Sequence, residues 1–245
     1  MNSARPESIV ISGSHSAPAD ASAKETASVL LLAAEALQIE ADAILALRDR
    51  LDATFARAIE IIMHCRGRVV VSGMGKSGLI ARKIASTMAS TGTPAIYVHA
   101  GDASHGDLGM VTREDVFIAL SNSGETEELL LIVPVIKRQG ARLIAITGNP
   151  ASTLARLAEV HLDAHVDKEA CPLNLAPTAS TTAALALGDA LAVVLLERRG
   201  FSSNDYARSH PGGSLGRDGQ RLRDRHPKWA VPRRLPDRQL LRIAR

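Results

Sequence analysis

Residues Arg68–Gly78 read RVVVSGMGKSG, and the fold turns on them. Val69, Val70 and Val71 are apolar and β-branched at successive positions, so the strand they predict has both faces covered, as at the centre of a parallel sheet. In such sheets ligands bind beyond the carboxyl ends of the strands. There, Gly73, Gly75 and Gly78 let the chain turn sharply and a ligand come close, while Lys76 and Ser77 add a cation and a hydroxyl to the free N–H groups of a helix start. The expected guest is an anion, most simply a phosphate.

The same glycines match the dinucleotide fingerprint G-x-G-x-x-G, so the stretch alone leaves a phosphosugar, a dinucleotide and a purely structural turn open. A dinucleotide site wants an acid near the end of the second strand to hold a ribose hydroxyl. Here that strand reads AIYVH, and the first acid after it, Asp102, comes only beyond Gly101. A Walker loop would need glycine five residues before Gly75, where Val70 stands. A small phosphate ester fits best.

Outward from this stretch, helix and strand patterns alternate. Two helices are expected before it. One runs from near Ala23 to Arg50, with Leu30, Ala34, Leu37, Ala41, Ile44 and Leu47 as its inward stripe, and one from Leu51 to His64, ended by Gly67. After it come a helix over Leu79–Ser90, a turn Thr91–Pro94 and strands at Ala95–Val98, Asp115–Leu120, Arg142–Thr147 and Glu159–His165. Helices at Glu127–Gln139 and Thr181–Arg199 complete the pattern, which argues for a doubly wound α/β fold with five parallel strands flanked by helices. Residues 1–22, rich in Ser, Ala and Pro, read as a flexible leader.

Charge and cysteine content exclude several classes. The net charge of +3 suggests nucleic acid only until the charges are located. Residues 217–245 hold ten Lys or Arg against three Asp, leaving residues 1–216 with 19 basic and 23 acidic side chains. The body is acidic, and the basic tail lacks the interleaved aromatics of a base-stacking surface, so no nucleic-acid partner is expected. Two cysteines, Cys65 and Cys171, make neither a disulfide framework nor a zinc spacing. No basic-then-apolar leader and no apolar run of about 20 residues stands out, so the chain reads as cytoplasmic with no membrane partner.

A second polar corner follows the third strand: Ser121-Asn122-Ser123-Gly124-Glu125-Thr126. Ser121, Ser123 and Thr126, with the N–H groups of the next helix, can surround a phosphate without an arginine clamp, or can simply cap that helix. At this point the chain resembles the sugar isomerase (SIS) domain, and within it the D-arabinose 5-phosphate isomerases. The resemblance rests on SGMGKSG, ASTGTP, ASHGDLGM, SNSGETEELL, VDKEACPLNLAPTASTTAALALGDALAVVLL and ARSHPGGSLGR, and spans roughly residues 25–217.

The resemblance implies a flavodoxin-like SIS fold over residues 23–216. It implies exchange of D-ribulose 5-phosphate with D-arabinose 5-phosphate toward the acidic sugar Kdo, a component of lipopolysaccharide or capsule. It puts catalytic roles on Lys76, Glu128, Glu169 and His210, and substrate contacts on Ser72, Ser77, Gly92, Thr93, His105, Ser121, Ser123 and Thr126. It also implies a homotetramer whose sites neighbouring subunits complete, no required cofactor, and zinc only as an inhibitor held at His99. The base is open between Glu169 and His210. Two departures stand out: Leu79 replaces a histidine common in the family, and residues 217–245 resemble a disordered basic tail where relatives continue into paired CBS domains. A non-catalytic sugar-phosphate-binding module is the alternative reading.

Overall fold

The computed structural model describes residues 18–209. The expectations for residues 1–17, for His210 with the SHPGGSLG motif, and for the 217–245 tail therefore lie outside the described residues. Five strands, β1 (Val69–Gly73), β2 (Ala95–His99), β3 (Val116–Leu120), β4 (Arg142–Thr147) and β5 (Val160–Asp163), form one parallel sheet in the order β2-β1-β3-β4-β5. This is the flavodoxin-like doubly wound order, and β1 and β3 sit side by side where the direction of winding reverses.

Alternation along each strand feeds two separate cores. Val69, Val71, Ile118, Ile144 and Ile146 pack with α2 (Ala53–Met63), α3 (Gly75–Ser90) and α7 (Ala179–Arg198). Val70, Phe117, Ala119 and Leu143 pack on the other face with α5 (Glu127–Gln139) and the short α6 (Thr153–Leu157). Both faces of β1, β3 and β4 are thus sealed, which is what their unbroken apolar runs require. Two further short helices are α4 (Ala100–Ser104) and α8 (Ser203–Ser209).

Several sequence expectations shift. The first helix, α1, spans Pro18–Asp49, so residues 18–22 are helical and not leader. Its expected stripe is wrong in phase. Leu30, Leu37 and Ile44 are 65%, 70% and 39% exposed, and of the expected stripe only Leu47 is buried, beside Ala43. α1 packs against α7, and Leu30, Leu31, Leu32 and Leu37 turn outward. The helix α2 spans Ala53–Met63 with His64 as its cap, close to the expected Leu51–His64, so Gly67 lies beyond its end. Gly67 serves instead as a close-approach point, since a Cβ there would lie 2.2 Å from Asp115 Oδ1. Asp115 is no strand residue but a buried staple, accepting from the N–H groups of Arg68 and Thr112, both at 2.7 Å.

α7 also corrects the expectation that no apolar run approaches membrane-spanning length. It has 20 residues, and an 18-residue window within it has a mean hydropathy of 1.8. In this fold it is a core helix, with Leu187, Leu191 and Leu195 buried against the first core. It packs against α1, α2 and α3 on one side, while Val193 on the other is exposed.

Candidate active site

The carboxyl ends of β1 and β3 deliver the two polar corners to one crevice. The helical ladder of α3 starts earlier than expected, because the Gly78 N–H donates to the Met74 carbonyl at 3.0 Å. Lys76 and Ser77 therefore stand in the first helical turn and not in a loop. Gly75 has φ +53°, a conformation that favours glycine, and a Cβ there would meet nothing within 4 Å, so its backbone faces open space.

Between the corners lies a recess of about 40 Å³ whose polar lining includes Ser77, Ser121, Asn122, Thr147, Ser180 and Thr181. Ile80, Leu120 and Ile146 supply its apolar wall. Since a water needs roughly 10–15 Å³, the recess takes a small oxygen-rich group, and the remainder of a pentose would extend beyond it.

The Ser121 hydroxyl is 2.7 Å from the Thr126 hydroxyl and 3.4 Å from that of Ser123, and it accepts from the Gly124 N–H at 2.9 Å. The Ser123 hydroxyl accepts from the Glu125 N–H at 3.2 Å. Thr126 is the residue before α5, yet its side chain makes no capping hydrogen bond. The corner thus does not act as an ordinary side-chain cap, and the first N–H groups of α5 face the crevice without one. Glu128 follows, half-buried, in the first turn of α5.

Glu169 does not line this recess but a neighbouring cavity with Glu35, Ile39 and Asn174, and it is joined to the recess through the start of α7. Its Oε2 accepts from the Thr178 N–H (2.8 Å), the Thr178 hydroxyl (3.0 Å) and the Ser180 N–H (3.2 Å) at the start of α7. The loop between them folds back on itself, with the Glu169 N–H donating to Asn174 Oδ1 and the Ala170 N–H to the Thr178 hydroxyl. Burial pushes the Glu169 carboxyl up, but the Ser180 hydroxyl dipole and the N–H groups of Thr178 and Ser180 outweigh it and hold the group below the ordinary glutamate range. It is ionised at neutral pH, the state that takes a proton. Behind the recess, Thr147 sits 2.9 Å from His161 Nε2, and burial lowers that imidazole so that it stays neutral.

Other expected site residues fall elsewhere. Ser72 is fully buried, and alternation from Val71 turns its hydroxyl onto the α5 face, away from the recess. Gly92 and Thr93 lie at the amino-terminal edge of the sheet, opposite the crevice. A Cβ on Gly92 would strike the Phe201 ring, and buried Thr93 accepts from Arg199 Nε at 3.0 Å. Within one chain these three residues do not join the site.

His105 is exposed on the loop after β2, at the crevice end of the sheet. His99 ends β2, with Nδ1 sealed from solvent and lacking a hydrogen bond, 3.8 Å from Asp102 Oδ1. Among the described residues no three His, Cys, Asp or Glu side chains converge.

Asn122, Thr147, Ser180 and Thr181 line the recess without standing out in the sequence as site residues. Their common signal is position: each stands at the carboxyl end of a strand or the amino end of a helix bordering the switch point.

Comparison with known proteins accords with this geometry. A family model, SIS domain, matches residues 62–194. The chain is 59% identical over 179 residues to the arabinose 5-phosphate isomerase KdsD of Pseudomonas aeruginosa, covering 73% of this chain and 55% of that one. It is 58% identical over 183 residues to KdsD of Escherichia coli K12, covering 75% and 56%. The chain therefore spans little more than half the length of these curated relatives. Among solved structures, the E. coli CFT073 protein c3406 in complex with arabinose 5-phosphate superposes with a TM-score of 0.74 at 42% identity, over 76% of this chain and 98% of that one.

Proposed function

The chain belongs to the SIS-domain family, and from that premise we propose that it is an aldose–ketose isomerase interconverting D-ribulose 5-phosphate and D-arabinose 5-phosphate. One observation carries the reading: a single recess is bounded by the Ser77 and Ser121 corners, and Glu169 is tied to the same recess through Ser180. Loops that grip an oxyanion and an ionised acid beside them are what a proton transfer along a phosphorylated sugar needs.

In the ketose-to-aldose direction a base removes a proton from C1, leaving a cis-enediolate across C1 and C2. A proton returns to C2, and the hydroxyl proton moves from O1 to O2. No electrons leave the molecule, so the balance involves no nicotinamide or flavin. Glu169 is the ionised acid joined to the recess through Ser180; Lys76, exposed on the first turn of α3, supplies a cation for the enediolate or the phosphate. Glu128, half-buried in the first turn of α5, is the second candidate carboxylate. The product would feed synthesis of the acidic sugar Kdo, and a cytoplasmic location fits the unpaired Cys65 and Cys171. Incubating the purified protein with arabinose 5-phosphate should yield ketose by a colorimetric assay. Folded protein giving none rejects the reading.

A homotetramer belongs to the same proposal. Leu31 and Leu37 on α1 and Val193 on α7 are 72%, 70% and 61% exposed, an apolar surface of the kind that association covers. The helix leading to His210 follows Phe201, which packs on Gly92 at the edge opposite the recess. In the proposed assembly a neighbouring subunit brings its own Gly92 edge to this crevice. Light scattering should give about four times the 25.9 kDa chain mass, and Leu31→Glu with Leu37→Glu should dissociate the assembly. A monomeric wild type would sink this part.

A further inference from the structure

Ser180 stands in the first turn of α7 with 4% of its surface exposed, and its hydroxyl is sealed from solvent without a hydrogen-bond partner among the described residues. It lies near enough to Glu169 for its dipole to steady the carboxylate, yet no hydrogen bond joins the two side chains. Its neighbours differ. Thr181 donates to the Thr178 carbonyl at 2.8 Å, and Thr182 donates to Glu40 Oε2 at 3.1 Å. On the recess, the Ser121 hydroxyl is already committed to Thr126 and the Gly124 N–H. Ser180 is therefore the lining hydroxyl that is both buried and unspent. Leaving a buried hydroxyl unpaired is unfavourable by about 1–3 kcal/mol, a cost that goes uncompensated unless something else occupies the recess.

We propose that Ser180 is a substrate-contacting residue whose hydroxyl donates to an oxygen at the reacting end of the sugar phosphate. The inference rests on the isomerase reading and deepens it by assigning a contact. The backbone N–H of Ser180 is bonded to Glu169 Oε2 at 3.2 Å, so an oxygen held by its side chain is fixed next to the carboxylate. The phosphate falls to the Ser121–Thr126 corner and the first turn of α5. One residue thus holds the acid with its backbone and the carbon chain with its side chain, which sets the distance over which the proton moves.

The test compares Ser180→Ala and Ser180→Thr with the wild type by turnover and by thermal shift. Ser180→Ala should lower kcat/KM about tenfold or more, while its melting temperature stays close to that of the wild type, because removing the unpaired hydroxyl offsets the lost support of the Glu169 carboxylate. Ser180→Thr, which keeps the hydroxyl, should recover most of the loss. Stabilisation by inorganic phosphate should be the same in all three proteins, whereas stabilisation by arabinose 5-phosphate should weaken only in Ser180→Ala. Wild-type kcat/KM in Ser180→Ala, or a lowered melting temperature with no selective loss toward the sugar phosphate, overturns the proposal. If the wild type binds arabinose 5-phosphate without turning it over, the isomerase reading fails, and the thermal-shift comparison alone decides on Ser180. If the wild type is not stabilised by arabinose 5-phosphate, the Ser180 contact fails as well.

Discussion

Replacing Glu169 with Gln lowers kcat for the pentose phosphate exchange by about 10²–10⁴-fold while leaving the protein folded. The amide oxygen of Gln can still accept from the Thr178 and Ser180 N–H groups that now hold Oε2, so the loop and the start of α7 keep their geometry. What disappears is the charge. A carboxylate at a helix amino terminus contributes about 0.3–1 kcal/mol, so the melting temperature should fall by roughly 1–4 °C for a chain of this size. The pH dependence separates this from general damage. The folded protein holds Glu169 below its unfolded value, so its contribution to stability is present above the ordinary glutamate range and is lost as pH falls through the folded value. The stability difference between wild type and variant should accordingly be flat around neutrality and shrink in acid, as read from urea titrations at several pH values. Undiminished turnover in the variant would remove Glu169 from the chemistry.

Gly78→Ala should cost about 1–3 kcal/mol of stability and most of the activity. A Cβ at Gly78 would lie 2.8 Å from the Gly73 carbonyl oxygen and 2.9 Å from the Tyr97 hydroxyl, and one at Gly73 would lie 2.9 Å from the Ser77 carbonyl oxygen. Strand β1 and helix α3 touch backbone to backbone here, and a backbone carbonyl cannot swing aside as a side chain can. The added methyl must push α3 off the sheet, carrying Lys76 and Ser77 with it. Misplacing such groups by about 1 Å is enough to lose about 10² in rate. Gly109→Ala is the matched control, since a Cβ there meets nothing within 4 Å. Equal melting temperatures and rates for the two variants would show that the close approach does not hold the site.

The glycine pattern also explains how far the sequence can be read. Gly73, Gly75 and Gly78 do here the same physical work as in a dinucleotide fold: a tight turn, open backbone and close helix packing. Their spacing announces a ligand crevice without naming the ligand. The buried strands are legible because runs such as Val69–Val71 and Ile144–Ile146 permit little else, and two hydroxyl corners on neighbouring strands point to one crevice. Periodicity fails on α1 before Leu47, where an outward leucine stripe has the same 3.6-residue repeat as an inward one, and only the packing against α7 decides between them. Ser72 is misplaced by sequence because a serine at a strand's end faces whichever side alternation dictates. Gly92 and Thr93 belong to the opposite edge of the sheet, a fact that depends on chain direction. Ser180 escapes notice because a serine among small residues at a helix start looks like any capping residue until its hydroxyl is found without a partner.

Proton NMR of arabinose 5-phosphate incubated with the purified protein in D₂O is the most direct test of the isomerase site. Ribulose 5-phosphate should appear while the aldose C2–H signal is replaced by solvent deuterium, and the Glu169→Gln protein should do neither at a comparable rate. Protein that is folded and stabilised by the sugar phosphate, yet leaves both the C2–H signal and the sugar composition unchanged, would contradict it.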